Sequence, residues 1–387
     1  MINEIVYFIV LTLVMAGCSG SDNPAENRAR HALKSKGDIL IGAASPWAEK
    51  RNLLWEGVSM AVDEVNQGGG LLNGRKISVV KGDDKGDLTT GQIVAQSFAD
   101  NEDVVAVLGH SSSYISIPVS IMYQYYGIVM MSPLSTSIKL TSQGYPGIFR
   151  NIPSDPIFGK KIAEFCRKHG FKNILIYNIN DDYGRGLSNA FEINALSQGL
   201  IILDRSSYDD LSSKRDFREQ IKFWKDNYEF DAIFLAGVMP LAADVVIEIR
   251  KTGVNVPIIG GDSLDQPMLL KIAGESAENV YAGSVFHPGY DYPAMQQFLA
   301  KFRQIYSKDP DIAATQGYEA MMALAQGIKS AGNTVPYDIA KALHSMKSFE
   351  GLTGEFSFDE NGDVEGKPLI MKVVKDGVFQ LVEGHDT

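Results

Sequence analysis

The chain has 387 residues, 45% of them hydrophobic and 21% charged, and a formal net charge of -11. That length exceeds a single compact core and fits two domains plus a targeting segment, while the acidic balance argues against nucleic acid or anionic lipid as a partner held by surface charge. Two cysteines, Cys18 and Cys166, supply neither a disulfide framework nor a cysteine metal site, which leaves a small ligand or a protein as partner.

The first element is the apolar run IVYFIVLTLVMAGC, too short for a membrane span and of the size of a signal-peptide core. Its end, Met15-Ala16-Gly17-Cys18, resembles the lipobox of bacterial lipoproteins, in which the cysteine is lipidated and becomes the new N-terminus. Met15 stands where Leu is usual, and Glu4 replaces the expected basic residues before the run. The resemblance implies a signal peptide over 1–18 and an exported chain, in the periplasm or at the cell surface, anchored to a membrane through Cys18. Residues 19–36 are polar and contain Pro and Gly, so a flexible tether is expected there.

From Asp38 onward, short β-branched runs alternate with amphipathic stretches. Strands are predicted at 39–44, 76–84, 104–110 and 127–133, then after a pause at FRNIPSDP at 173–180, 200–208, 231–237, 256–262 and 279–286. Between the first two, Leu54, Val58, Ala61, Val62 and Val65 share one helical face. Such alternation predicts βαβ units, hence an α/β protein of two Rossmann-like modules with mostly parallel sheets. Two helical patterns follow at 291–308 and 312–331, and the end alternates strands with Asn-Gly and Asp-Gly turns.

Ligands of open α/β sheets bind beyond the carboxyl ends of the strands, where loop N–H groups and helix N-termini converge. The segments there read SSSY, LSTS, DDYG, VMP and SLDQ. Ser111, Ser112 and Ser113, with Ser135 and Thr136, offer hydroxyls and N–H groups to a carboxylate; Asp262 and the ring of Tyr183 suit an ammonium. Together they read as a receptor for a small zwitterion. Each also has a plainer role, since serines cap helices and aspartates close turns.

Catalytic patterns are poorly matched. The triple serine lacks a Gly-x-Ser-x-Gly elbow, no histidine is marked as its base, and neither a Walker loop nor a dinucleotide fingerprint occurs. His110 beside the serines reads as a structural hydrogen-bonder, and adjacent Asp83 and Asp84 on a strand point to opposite faces, a poor metal pair. The protein is therefore expected not to be an enzyme and to need no cofactor or metal. An exported serine hydrolase and a ligand-sensing receptor domain are the alternatives.

The pieces IGAASPWAE, AVDEVNQGGGLLNGRKISVVKGDD, AVLGHSSS, SPLST, NINDDYGRGL, IIGGDS and GLTGEFSFDENGDV, in this order, resemble the leucine/isoleucine/valine-binding family of periplasmic solute-binding proteins. The resemblance implies a type I periplasmic-binding fold with three hinge crossovers: lobe one over 37–152 and 287–357, lobe two over 153–286 and 358–387. It implies a monomer that closes on an amino acid and delivers it to an ABC permease. In the family, the positions matching Ser113, Leu134 (through its backbone) and Thr136 hold the ligand carboxylate, and those matching Tyr183 and Asp262 meet the ammonium. Asp262 stands where many relatives carry Glu. Met239 and Val238 stand where branched-chain binders offer tyrosines, Tyr318 matches a position near the ligand side chain, and Trp47 lies on the first loop.

Overall fold

A computed structural model describes residues 23–49 and 52–382. The chain opens with helix α1 (Pro24–Lys34), capped by the Asn23 side chain and with proline in its first turn. Lobe one then runs β1 (Ile39–Ser45), α2 (Leu54–Gln67), β2 (Ile77–Asp83), α3 (Leu88–Asp100), β3 (Val104–Leu108), α4 (Ser113–Tyr126), β4 (Val129–Ser132) and β5 (Ile148–Arg150). Lobe two continues with α5 (Asp155–Lys168), β6 (Asn173–Ile179), α6 (Asp182–Ser197), β7 (Ile201–Tyr208), α7 (Lys214–Asn227), β8 (Ala232–Ala236), α8 (Leu241–Lys251), β9 (Ile258–Gly260), α9 (Pro267–Ala273) and β10 (Val280–Ser284). The chain returns to lobe one for α10 (Pro293–Tyr306), α11 (Ile312–Ala331), α12 (Pro336–His344), β11 (Phe349–Gly351), β12 (Gly354–Phe358) and β13 (Val364–Glu365), and ends in lobe two with β14 (Ile370–Lys375) and β15 (Val378–Leu381).

Lobe one is a parallel sheet in the order β2-β1-β3-β4-β5. Its strands are buried on both faces because two cores flank it: Val129 and Met131 pack toward α2, α10 and α11, while Met130 between them packs toward α3 and α4, the period of two that a strand imposes. Lobe two is ordered β15-β14-β10-β9-β8-β6-β7, parallel except for the antiparallel pairs made by β14 and β15. The type I periplasmic-binding fold read in the sequence is the fold observed.

Two expectations need correction. Residues 24–34 are helical rather than part of a flexible tether, and α1 is clamped to lobe one by Arg28. Its buried guanidinium donates to the carbonyls of Ala99, Asn101, Val104 and Tyr126, satisfying acceptors at the C-terminal ends of α3 and α4 and at the start of β3. Gly127 makes room for this helix: it takes the left-handed φ of 64° that ends α4, and a side chain there would strike Ala25. The leader and Cys18 lie outside the described residues. The third crossing also falls later than 357, because Phe358 and Val364 belong to lobe one's core and the chain enters the second sheet only at Ile370.

Two crossings meet on one side chain. Asn151, after β5, donates to the Gln316 Oε1 of α11 at 3.0 Å, and Lys367, before β14, donates to the same oxygen at 2.7 Å. Lys367 also pairs with buried Glu319 at 2.7 Å.

Candidate ligand-binding cleft

In each sheet the strand order reverses at one point, between β1 and β3 in lobe one and between β6 and β8 in lobe two, where open α/β sheets leave a crevice beyond the strand ends. The two crevices face each other across a cleft of about 280 Å³.

Lobe one contributes the turn from β3 into α4. Gly109 leaves β3 at a φ of 137°, against the Ala44 carbonyl where a side chain could not fit. His110 then anchors the turn from below. Its buried ring lies 2.7 Å from Asp84 and 3.0 Å from the Tyr123 hydroxyl, and its carbonyl accepts from the hydroxyls of Ser116, Ser132 and Ser135. Both ring nitrogens are thus engaged away from the serines above, and among the described residues no serine hydroxyl bonds to a histidine ring. Ser111 Oγ shares a 2.6 Å hydrogen bond with Ser45 Oγ. Ser112 is the N-cap of α4 but makes no side-chain cap, so the first N–H groups of the helix point, unpaired, at the cleft with the helix dipole behind them. Ser113 Oγ accepts from the Ser137 N–H at 3.2 Å, tying this turn to the loop after β4 that carries Leu134.

Lobe two contributes a different surface. Asp181 caps α6 by accepting from the Gly184 N–H at 2.7 Å, which sets Tyr183 in the first turn. The Tyr183 hydroxyl lies 2.7 Å from Ser263 Oγ and 3.4 Å from Asp262 Oδ1. Ser263 in turn donates to the Gly237 carbonyl at 2.5 Å. Burial is the main influence on Asp262 and pushes its pKa up to about 7; desolvation likewise lifts Asp181 to about 6 and raises the Tyr183 hydroxyl. Four carboxylates, Asp84, Asp181, Asp210 and Asp262, line the cleft, and its described lining holds no Lys, Arg or His. Asp84 is hydrogen-bonded to the His110 ring, whereas Asp262 has no cationic partner among the described residues. The arrangement offers N–H donors and hydroxyls on one side and an unbalanced carboxylate on the other, so it can take an anion and a cation borne by one small molecule.

Of the residues read from the sequence, Ser112, Ser113, Leu134, Tyr183, Met239 and Asp262 line this cleft. Thr136 lies behind the lining, fully buried beside Asp155: the Asp155 N–H donates to its carbonyl at 2.8 Å, and its hydroxyl helps to stabilise the Asp155 carboxylate. Trp47 and Tyr318 go elsewhere. Trp47 packs edge-on against Trp55, with the Lys81 ammonium over both rings. Tyr318 donates to Glu64 at 3.0 Å and lines a second cavity. The start of α11, not its middle, reaches the cleft: Ile312 and Ala313 line it, and at about 100° per residue Tyr318 lies roughly 140° round the axis from Ala313. Ile312 and Ala313 went unread because nothing local marks them, and Gln266 was read only as part of the SLDQ segment. Asp181 and Ser263 adjoin residues that were read. No group of three metal-ligating side chains converges among the described residues.

Comparison with known proteins agrees with this geometry. The model of the family described as periplasmic binding protein matches residues 40–378. A curated relative, the Leu/Ile/Val-binding protein homolog 1 of Brucella suis, is 30% identical over 334 residues, covering 84% of this chain and 87% of that protein. The crystal structure of an ABC transporter substrate-binding protein from Desulfitobacterium hafniense in complex with Leu is 37% identical, with a TM-score of 0.80 over 89% of this chain and all of that one. The branched-chain amino acid transporter substrate-binding protein of Streptococcus pneumoniae, in complex with isoleucine, is 26% identical with a TM-score of 0.81 over 89% of this chain and 98% of that one. With two sheets, three crossings and a cleft at the paired switch points, the chain belongs to the periplasmic binding protein family.

Proposed function

We propose that this protein is the extracytoplasmic receptor of an ABC importer and that its ligand is an α-amino acid with a branched aliphatic side chain. The observation that carries this reading is the buried, cation-free carboxylate of Asp262 on one wall, facing the uncapped start of α4 on the other. The ligand carboxylate would bind the N–H groups at the start of α4 and the Ser113 hydroxyl, and its ammonium would meet Asp262 and Tyr183. Thr136 would join the carboxylate set only by a side-chain rotation that turns its hydroxyl from Asp155 toward the cleft.

The side chain of the ligand is left to Leu134, Met239, Leu241, Ile312 and Ala313. These apolar groups reward aliphatic burial at about 25 cal/mol per Å² and offer nothing to a charged side chain. The ligands named for the Desulfitobacterium and Streptococcus proteins are of this kind.

Binding proceeds in two steps. The open protein takes the carboxylate on lobe one, and lobe two then brings Tyr183 and Asp262 onto the ammonium. Only interactions that form as the lobes close can favour the closed form. Lys139 of lobe one and Asp182 of lobe two, 2.8 Å apart, add a minor exposed pair. Lipid on Cys18 would hold lobe one at a membrane through α1.

Calorimetric titration with leucine, isoleucine, valine, lysine and glutamate tests the reading: the three aliphatic amino acids bind at one site per chain and the two charged ones do not. Binding of none of the three would overturn it.

A further inference from the structure

We propose that lobe one carries a second ligand site, outside the cleft, for a small zwitterion with an apolar side chain. A cavity of about 400 Å³ opens between α2, α10, α11 and β11 and shares no lining residue with the cleft. At its mouth Lys301 of α10 pairs with Glu64 of α2 at 2.7 Å, and the Tyr318 hydroxyl donates to the other oxygen of Glu64. Both partners are about 40% exposed, and an ion pair at that exposure contributes only about 0–1 kcal/mol, so parting it costs little.

The pair selects the class of ligand. A cation inserted there would engage Glu64 alone and an anion Lys301 alone, each leaving the other group to solvent. A zwitterion leaves both partnered, its ammonium on Glu64 and its carboxylate on Lys301, with no change in net charge. The deeper acid, Glu319, is already held by Lys367 and Thr353 and is not free to bind a ligand. The rest of the lining mixes the polar Gln297 and exposed Glu350 with an apolar patch of Met60, Phe298, Met322 and Phe349. Two of these are methionines, whose unbranched side chains adapt to different shapes. The Phe298 ring packs against that of Tyr318, centroids 5.0 Å apart and tilted by 57°. Because Lys367 lies on the third crossing, the occupied site would border the hinge.

Methionine-methyl NMR on the full chain with carbon-13 labelled methionine tests this, because Met60 and Met322 report the second cavity and Met239 reports the cleft. In the Asp262→Ala protein, L-leucine and L-phenylalanine should shift Met60 and Met322 saturably with millimolar dissociation constants. Lys301→Ala should weaken that binding about two- to fivefold, the cost of losing a half-exposed partner for a charge. On the unaltered Lys301 protein, isocaproate and isopentylamine, which each lack one of leucine's charged groups, should be weaker than leucine by a similar factor. No saturable change at Met60 and Met322, or equal binding by leucine and its two singly charged analogues, would overturn the proposal. Shifts confined to Met239 would do the same while leaving the cleft's own function intact.

Discussion

The two walls of the cleft solve opposite halves of one recognition problem by unlike means. Lobe one presents neutral donors, already fixed by the buried Asp84–His110–Tyr123 chain and by the serines gathered on the His110 carbonyl. Such a wall costs little when empty, because water can solvate N–H groups at a helix start. Lobe two presents a carboxylate that burial pushes up to a pKa of about 7 and that no described cation balances. Two other interior acids do have cations, Glu319 with Lys367 and Asp265 with Lys372 at 2.6 Å. Asp155 and Asp311 are buried without an ion pair among the described residues and are pushed up by burial to about 7 and about 6. What sets Asp262 apart from these two is that it lines the cleft. The cation missing beside Asp262 is the one the ligand would bring. A receptor gains selectivity when the empty state of one wall is unfavourable and the correct ligand relieves it.

The sharpest way to break this contrast is to put Glu319 in the condition of Asp262. Lys367→Met strands a buried carboxylate and should destabilise the protein by about 3–5 kcal/mol in chemical denaturation. A loss under about 1 kcal/mol would mean that Glu319 does not depend on its cation, and that the contrast with Asp262 carries no energy.

Next in size, Asp262→Ala should weaken amino-acid binding by about 2–5 kcal/mol, some 30-fold to several thousand-fold by calorimetry. The same substitution removes a desolvated acid, so the unliganded variant should melt at or above the parent temperature. Binding unchanged by the substitution would take Asp262 out of the site.

The pH dependence follows from the same group. Between its ordinary value of 3.8 and about 7, the folded protein holds a proton on Asp262 that the unfolded chain has released. The contribution of this residue to the stability of the empty protein therefore falls as pH rises across that window and is constant above it. Ligand affinity runs the other way. An ammonium needs the ionised carboxylate, so affinity should climb as pH rises to about 7 and then level, with proton release on binding below that pH. Calorimetry in two buffers of different ionisation enthalpy reads the release directly. Its absence at pH 6 would contradict the assignment.

The smallest effect belongs to the other wall. Ser113→Ala removes one of several donors to the carboxylate and should cost about 0.5–1.5 kcal/mol in binding. A loss as large as that of Asp262→Ala would erase the asymmetry between the lobes.

Most of this architecture was legible because the strands are short, β-branched and buried on both faces, and the helices between them carry one apolar stripe. β5 was not, since Ile148–Arg150 is only three residues long and lacks any run. Helix α1 was hidden by its polarity, yet Asn23-Pro24 is a start signal, and the decisive hydrogen bonds run from Arg28 to carbonyls 71 to 98 positions away. The loops after β3, β6 and β9 could be placed from the strand-end rule. What α11 brings to the cleft could not: which turn of a long buried helix reaches a ligand depends on where the chain re-enters lobe one, and that displaced Tyr318 to the second cavity.

At the centre stands the claim that the two walls together read one dipolar molecule. Paired calorimetric titrations with L-leucine and isocaproate test it most directly, because the two differ in the amino group alone. Leucine should bind at one site in the cleft, and isocaproate should be weaker by at least about 30-fold. Equal affinity for both would show that Asp262 meets no ammonium and would contradict the claim.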